Sequence, residues 1–347
     1  MPRIPFGCKR VAQSIAVLIY VGYAQTERVR PSCASGKENP MARCGIIDLG
    51  SNSVRLDVYN VAPKEDKQGQ RDFEHIFSSK KMAGLAAYTT DGIFSSRGIQ
   101  VAKDVLGDLL DQAKDLDCKK VSIFATAVLR ECKNSNDAVA TLEGAIDKPI
   151  RLLSGEEEAN LGFLGATSKS AMLHGTLLDL GGGSTELTCV KDGSDTLNLS
   201  LPLGCVKAYA QYVNLILPTA REVQCIKHIF NELLRQKADP SIYRCSVLHG
   251  IGGSVRATAK LAGAAFTGGY APKAVSAKTV TTLLGMMENE THDFCHLAAK
   301  AVPDRLHTIG PGLAIIHAAM TTFDADTLQI CKNGVREGYL VKYMLGE

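Results

Sequence analysis

The feature that most constrains the fold of this sequence is a strand–glycine–strand pattern that occurs twice. Residues 46–56 read IIDLGSNSVRL, and residues 176–190 read TLLDLGGGSTELTCV. In both copies short apolar runs flank a glycine-containing break, which predicts two strands joined by a tight turn. The copies align without gaps, so that Asp48 matches Asp179 and Gly50 matches Gly181. Two matched units predict two similar domains that face each other across a cleft, and such a cleft is a common place for a ligand.

The glycine turns favour phosphate as that ligand. Glycines at residues 181–183 remove every side chain from the second turn, so an anion can approach a row of backbone N–H groups. Asp179 and Glu186 add hard oxygen atoms, which suit Mg²⁺, with Mn²⁺ as the alternative ion. In the first copy Arg55 replaces Glu186, so one turn carries a cation where the other carries an anion. The composition of one turn fits an ordinary hairpin with solvated acids equally well, and the second copy is what favours a site.

Composition sets broader limits. The chain has 347 residues, of which 45% are hydrophobic and 22% charged, as expected for two well-buried cores. A formal net charge of +3 gives no sign of a general nucleic-acid surface, so positive contacts to a polyanion must be local. The eleven cysteines include no C-x-x-C pair, which argues against a zinc ribbon and favours single thiols in a reducing cytosol.

Residues 1–40 stand apart from the rest of the chain. Lys9 and Arg10 precede an interrupted apolar stretch at residues 11–24, which resembles a secretory signal, and a polar segment rich in small residues follows. The stretch is too short and too interrupted to predict a transmembrane helix. The competing interpretation, which we favour, is that synthesis begins at Met41 and that the protein is cytoplasmic rather than exported. We therefore expect residues 1–40 to be a dispensable extension.

Two further segments place candidate residues at strand ends. The apolar run at residues 121–128 predicts a buried strand, and Arg130 follows it, where an α/β sheet presents ligand-binding residues. Three consecutive glutamates at residues 156–158 open a helix, and Ser154 with Glu157 forms a capping box. Capping and the helix dipole account for most of this acidic triplet. One of the three can still be a general base, and local chemistry does not say which.

A third glycine-rich turn lies further along the chain. Residues 246–260 read SVLHGIGGSVRATAK, which predicts a strand, a turn at Gly252 and Gly253, and a helix that begins near Ser254. A glycine turn that opens a helix is a further anion site. The pattern G-x-x-x-x-G-K-[ST] occurs nowhere in the chain, which argues against a P-loop enzyme. Lys80 and Lys81 could also meet an anion, but a solvated strand end is the explanation we favour for them.

Seven motifs occur in a fixed order: IDLGSNSVRL, ATAVLRECKN, LLSGEEEANLGFLGA, LDLGGGSTEL, GIGGSVRATAKL, GPGLAII and NGVREGYL. On these motifs, residues 44–344 resemble the exopolyphosphatase/guanosine pentaphosphate phosphatase (Ppx/GppA) family, within the actin, sugar kinase and Hsp70 superfamily. The resemblance implies an α/β fold of two actin-like (ribonuclease H-like) domains with an interdomain cleft. We assign residues 41–154 to the first domain, rejoined by a closing helix at 332–347, and residues 155–331 to the second. The resemblance is to the short family members, so we expect the chain to lack the extra helical C-terminal domains of the long members.

The resemblance also implies roles for individual residues. The acid before Ala in S-G-x-x-E-A is the family's catalytic base, which here is Glu158, with Arg130 as the arginine of the second motif. Asp179 and Glu186 correspond to metal-site residues. After Leu-Gly-Cys this chain has Lys207 where arginine is more usual, so a cation is kept but a bidentate grip on phosphate is lost. Together with the turns, the expected phosphate-binding residues are Asp48, Gly50, Ser51, Asn52, Ser53, Arg55, Gly181, Gly182, Gly183, Ser184, Lys207, Gly252, Gly253 and Ser254.

The expected activity is release of the terminal phosphate of inorganic polyphosphate by metal-assisted attack of water. Glu158 would take the proton from the water, and Arg130 and Arg55 would clamp the phosphoryl group. The first alternative is a guanosine pentaphosphate (pppGpp) phosphohydrolase. More remote alternatives are a kinase or ATPase of the superfamily and a non-catalytic protein that binds a polyanion. Polyphosphate or pppGpp is the expected partner, without nucleic acid or stable membrane association, and a homodimer is one form the protein could take.

Overall fold

Each copy of the repeated pattern forms a β-hairpin inside its own sheet. The first consists of β2 (Ala42–Leu49) and β3 (Ser53–Glu65), and the second of β9 (Gly175–Leu180) and β10 (Thr185–Lys191). The cross-strand registers are equivalent, because Asp48 lies opposite Arg55 and Asp179 lies opposite Glu186. The structure, a computed structural model, describes residues 25–28, 42–65 and 71–345. Within them the predicted duplication is present.

Each hairpin lies within a mixed six-stranded sheet. The first sheet has the order β1-β4-β3-β2-β7-β8, and the second has the order β11-β10-β9-β12-β14-β13. In both sheets the aspartate-bearing strand also pairs in parallel with a strand from later in the chain, β7 or β12. The remaining strands of the first sheet are β1 (Gln25–Arg28), β4 (Arg71–Met82), β7 (Lys120–Ala125) and β8 (Ile150–Leu152). Those of the second are β11 (Ser194–Leu201), β12 (Val247–Ile251), β13 (Ala274–Ser276) and β14 (Thr327–Ile330), while β5 (Thr89–Thr90) and β6 (Ile93–Phe94) form a separate short ladder.

Helices pack on both sheets, which confirms the α/β class. They are α1 (Ser96–Asp115), α2 (Ala127–Arg130), α3 (Ser135–Ile146), α4 (Gly155–Thr167), α5 (Cys205–Tyr212), α6 (Ala220–Lys237), α7 (Gly253–Phe266), α8 (Ala277–Asn289), α9 (Thr291–Ala301), α10 (Leu306–Phe323) and α11 (Val335–Tyr343). The strand predicted at residues 121–128 ends at Ala125, and its last residues begin α2. Residues 127–129 are as buried as residues of a core strand. A continuous apolar run does not distinguish a buried strand from a buried helix, so the sequence pattern did not reveal that a helix begins here.

The first and second sheets have separate apolar cores, and two helices connect them. In α11, the Tyr339 ring stacks on Phe124 of the first sheet with ring centroids 4.9 Å apart. α4 contacts β10 and β11 of the second sheet, and it also packs closely on α11. A Cβ atom at Gly165 of α4 would strike the Gly334 carbonyl, and one at Gly338 of α11 would strike the Leu161 carbonyl. The closing helix α11 thus contacts the first sheet at Phe124 and packs on α4 of the predicted second domain, and the domain assignment stays a prediction.

The expected N-terminal extension is corrected at one place. Residues 25–28 form β1, an antiparallel edge strand in which Gln25 lies opposite Lys80 of β4. The outer edge of β4 has free backbone donors and acceptors, and an extended segment of any sequence can pair with them. The signal-like stretch at 1–24 and the residue Met41 lie outside the described residues. Among the helices that are described, none combines the length and apolar character needed to cross a bilayer.

Candidate active site

The two glycine turns meet at the centre of the molecule. In each turn the first glycine N–H donates to the serine carbonyl three residues later, from Gly50 to Ser53 at 3.2 Å and from Gly181 to Ser184 at 3.1 Å. A Cβ atom at residue 183 would lie 2.7 Å from Ser51 Oγ. Glycine is therefore required here because the backbone of one turn lies against a side chain of the other.

A cleft of about 140 Å³ opens beside the paired turns. Most of the residues predicted from the sequence line it: Asp48, Gly50, Ser51, Asn52, Ser53, Arg55, Glu158, Asp179, Gly181, Gly182, Gly183, Ser184, Gly252 and Gly253. Four predicted residues lie outside this lining, namely Arg130, Glu186, Lys207 and Ser254. Both sheets contribute, so the cleft is the interdomain cleft that the duplication predicts.

Glu158 enters the cleft from the first turn of α4. Ser154 and Glu157 form the predicted capping box at this helix end, which leaves Glu158 as the buried member of the acidic triplet, 8% exposed. Arg130 Nη1 donates to Glu158 Oε2 at 2.7 Å. Burial, with additional repulsion from Asp179 and Asp48, raises the pKa of Glu158 to about 7 despite the Arg130 charge. A carboxylate with a pKa near neutrality can accept a proton from water and release it again.

Arg130 lies behind Glu158 and holds it in place. Its guanidinium also donates to the Leu153 carbonyl at 3.0 Å and to Ser184 Oγ at 3.4 Å, and it lies 3.7 Å from Glu186. The arginine comes from α2, directly after β7 of the first sheet, whereas Ser184 belongs to the glycine turn of the second. The Arg130 contacts thus join the two halves of the molecule at the cleft.

Asp179 and Glu186, the predicted metal residues, differ in their access to the cleft. Asp179 lines it, and burial together with Asp48 raises the pKa of Asp179 to about 6. Glu186 lies behind, 1% exposed, and accepts a hydrogen bond from Ser200 Oγ at 2.7 Å. Burial, followed by repulsion from Glu158 and Asp179, raises the pKa of Glu186 well above its usual range. Its Oε2 atom has no hydrogen-bond partner among the residues that the structure describes.

This carboxylate set fits a hard divalent cation. A buried oxygen without a partner and two acids with raised pKa values are the features that a bound cation would relieve. In the described part of the chain, no three His, Cys, Asp or Glu side chains form a complete metal site by themselves. Mg²⁺ commonly binds through only one or two carboxylates, with water and substrate phosphates as its other ligands. The residues therefore fit Mg²⁺ together with a phosphate ligand.

The cleft lining also contains cations that the sequence analysis did not assign to the site. Arg256 of α7, Arg305 and Arg336 of α11 line the cleft, as does Lys80 of β4. Arg336 donates to Asp48 at 2.9 Å and forms a second ion pair with buried Asp57. Arg256 and Arg336 belong to the quoted motifs GIGGSVRATAKL and NGVREGYL, so the motifs contained a signal for them. Arg305 had no such signal.

Two predicted phosphate residues make other contacts. Lys207 Nζ donates to Glu131 Oε2 at 2.6 Å, so in this conformation its charge is neutralised at a distance from the turns. Ser254 is 2% exposed, and its hydroxyl donates to Cys205 Sγ at 3.2 Å inside the second core. Of the predicted third turn, Gly252 and Gly253 remain in the lining, and the Arg305 guanidinium packs against Gly253.

The fold and the site define a class of protein: an α/β protein of the actin-like kind, with paired phosphate-type turns and acids in one cleft. Comparison with known proteins makes this assignment specific. A profile of the Ppx/GppA phosphatase family matches residues 61–347, and the chain belongs to that family. The protein is thus a hydrolase of phosphoanhydride bonds.

Individual relatives agree with this assignment. The chain is 26% identical over 319 residues to Exopolyphosphatase 1 of Mycobacterium tuberculosis (strain ATCC 25618 / H37Rv), with 88% of this chain and 89% of that protein covered. It is 24% identical over 315 residues to Exopolyphosphatase 1 of Mycobacterium leprae, with 88% and 90% covered. The fold matches the Ppx/GppA family member of Aquifex aeolicus (TM-score 0.67, 22% identity, 87% of this chain and 97% of that chain). It also matches an exopolyphosphatase of Cytophaga hutchinsonii (TM-score 0.74, 16% identity, 86% and 96%).

Proposed function

We propose that the protein is an exopolyphosphatase that removes the terminal phosphate of inorganic polyphosphate. The observation that carries this proposal is a group of cations that line the same cleft as the glycine turns, Glu158 and Asp179. They are Arg55, Arg256 and Arg305. In the described part of the chain, no carboxylate is within ion-pair distance of these three arginines. A polyanion carries enough negative charges to meet several cations, whereas a single phosphate does not.

The glycine turns would hold the phosphoryl group that reacts. Backbone N–H groups of residues 51–53, 182 and 183 border the cleft, and no side chain from the glycines blocks their approach to phosphate oxygens. Arg55 and Arg336 lie beside the first turn and would contact the next phosphates. Because phosphoryl transfer depends mainly on positioning and charge neutralisation, these fixed donors would supply much of the catalysis.

Glu158 would act as the general base. A water molecule between Glu158 and the terminal phosphorus loses its proton to the Glu158 carboxylate as it attacks, and the shortened chain leaves from the opposite side. Arg130 would hold the carboxylate in place through its 2.7 Å hydrogen bond. A pKa near 7 keeps Glu158 ionised at mildly alkaline pH and still basic enough to accept the proton.

Asp179 and Glu186 are the residues that would hold Mg²⁺. When bound, the ion neutralises charge that develops on phosphate oxygens. Asp179 faces the cleft directly, while Glu186 lies opposite it on the neighbouring strand and supports it from behind. In the absence of a cation, these two carboxyl groups would stay protonated up to a higher pH than ordinary carboxyl groups, because burial raises both pKa values.

The test is phosphate release from several substrates in parallel. Purified protein with Mg²⁺ receives equal concentrations of polyphosphate chain ends, tripolyphosphate, pppGpp and ATP. We expect a higher kcat/KM with the two inorganic substrates, polyphosphate and tripolyphosphate, than with pppGpp or ATP. A higher kcat/KM with pppGpp would establish the guanosine pentaphosphate activity instead, and preference for ATP would point to a superfamily ATPase. Tight polyphosphate binding without any turnover would indicate a binding protein. Glu158→Gln is the inactive control, and Glu157→Gln is its matched neighbour.

A further inference from the structure

One of the cations that line the cleft forms an ion pair that joins the two halves of the molecule. Lys80, on β4 of the first sheet, donates to Asp304 Oδ2 at 2.5 Å. Asp304 belongs to a short 3₁₀ helix (Pro303–Arg305) that precedes α10 on the other side of the cleft. The Lys80 side chain is 15% exposed and that of Asp304 is 36% exposed. The pair therefore lies at the rim, with the ammonium turned inward and the carboxylate turned outward.

Lys80 shares the cleft lining with Arg55, Arg305 and Arg336. Burial, together with repulsion from the charges of Arg336 and Arg305, lowers the pKa of Arg55. Burial, followed by repulsion from Arg305, likewise lowers the pKa of Lys80 to about 8. Arg336 pairs with Asp48 beside the first glycine turn, whereas Lys80 pairs with Asp304, whose side chain is 36% exposed. Cations that repel one another inside a protein form a site prepared for an anion with several charges.

Asp304 neutralises the positive charge of Lys80. Although burial opposes its ionisation, the hydrogen bond and charge of Lys80, with Arg305 beside it, lower the pKa of Asp304, so it is ionised at neutral pH. A phosphate chain that extends past Arg305 would reach a neutral ion pair with its carboxylate on the solvent side. The chain would gain no attraction there, and its next phosphate would be repelled by the carboxylate.

We propose that Asp304 is a specificity-determining residue that neutralises Lys80 at the rim of the cleft and restricts favourable binding to the few phosphates nearest the reacting one. This inference rests on the proposed exopolyphosphatase activity. It predicts that the enzyme favours short chains, and that one carboxylate contributes to this preference. A different explanation of the same pair is a latch that only holds the two halves of the molecule together. The two explanations predict different signs for variants of the two partners.

The experiment compares Asp304→Asn and Lys80→Met on tripolyphosphate and on a polyphosphate of about fifteen residues at low salt. Asp304→Asn frees the ammonium, so KM for the long chain should fall about fivefold while KM for tripolyphosphate changes less than about twofold. Lys80→Met leaves the carboxylate unpaired, so KM for the long chain should rise about fivefold. Asp108→Asn is the matched control, because Asp108 pairs with the neighbouring Lys81 at 3.4 Å outside the cleft lining and should leave both constants unchanged.

The outcomes separate the explanations. Opposite shifts of KM for the long chain, with little change for tripolyphosphate, support the proposal. Shifts of equal sign in both variants, or equal factors on both substrates, would identify a latch and overturn it. An unchanged ratio of long-chain to short-chain kcat/KM in Asp304→Asn would also overturn it. If the wild-type protein releases phosphate from neither chain, the proposed function fails first, and that result is visible before any variant is made.

Discussion

Replacement of Glu158 by Gln should make the enzyme slower and, at alkaline pH, more stable. Burial raises the pKa of Glu158 from its ordinary value of 4.5 to about 7. Below about pH 4.5 the carboxyl is protonated in the folded and unfolded chains alike. Between about pH 4.5 and 7 only the unfolded chain releases the proton, so this carboxyl's contribution to stability is lost as the pH rises through that window.

The expected magnitude follows from the size of the shift. Each pH unit corresponds to about 1.4 kcal/mol, so ionised Glu158 costs the folded state about 3 kcal/mol above pH 7. Gln resembles the protonated acid and still accepts the hydrogen bond from Arg130. Glu158→Gln should therefore raise the free energy of unfolding by about 3 kcal/mol at pH 8 and leave it nearly unchanged at pH 4.5. Because Gln cannot take the proton from water, kcat should fall by about 10² to 10⁴.

The assay is urea unfolding at pH 4.5 and pH 8 in EDTA, followed by far-UV circular dichroism, with phosphate release measured separately in Mg²⁺. The matched control is Glu157→Gln, whose parent residue bonds Arg151 at 2.8 Å and caps α4. It should lose at most about 1 kcal/mol of stability and keep kcat within a few-fold of wild type.

Three results would refute this reasoning. Stability of Glu158→Gln equal to wild type at pH 8 would mean that the buried carboxyl does not destabilise the folded state. A stability gain of the same size at pH 4.5 and pH 8 would remove its link to ionisation. If Glu157→Gln lost turnover and Glu158→Gln did not, the assignment of the catalytic acid would be wrong by one residue.

The other predictions concern the metal, a buried ion pair and a helix contact. Binding of Mg²⁺ to the free enzyme should release protons at pH 6, because burial raises the pKa values of Asp179 and Glu186, as measured by calorimetry in buffers of different ionisation enthalpy. EDTA should abolish turnover, while mild thiol blocking should not. Asp57→Asn leaves Arg336 without its buried partner and should cost about 3 kcal/mol in urea unfolding and raise KM, whereas the exposed control Asp108→Asn should cost less than about 1 kcal/mol. Gly165→Ala places a methyl group against the backbone of α11 and should lower stability by about 1 to 3 kcal/mol, while Gly107→Ala, in open space on α1, should raise it by up to about 1 kcal/mol.

Sequence reasoning reached the parts of the site that are encoded locally. The glycine turns, the hairpin register and the capping box each depend on residues within a few positions of one another, and each is present as predicted. The cationic side of the cleft could not be found in this way. Arg305 and Lys80 are far apart in the chain, and only the tertiary fold brings them to one rim.

The dependence on the tertiary fold also explains why two predicted site residues have other partners. Lys207 follows a turn that contacts the cleft, yet its flexible side chain reaches Glu131 of the opposite half. Glu186 was predicted as a metal residue together with Asp179, but its strand is flanked by β11 and packed against α4, and Glu186 is buried. A periodic pattern predicts the face on which a side chain lies, whereas the element that covers this face is set by the rest of the fold.

The crossing of α4 and α11 has a mechanical consequence. Along α4, Glu158 lies about seven residues, or roughly 10 Å, from the contact with α11 at Gly165. Because glycine has no side chain, the two backbones touch at Gly165, and α4 could tilt about this point with Glu158 at its far end. A tilt of about 5° at the Gly165 contact moves the Glu158 carboxylate by about 1 Å, and a displacement of that size can reduce turnover by about 10²-fold. A cleft that opens by rotation about this crossing would therefore withdraw the base as it releases the product. Hydrolysis and product release would then be coupled through one rigid helix.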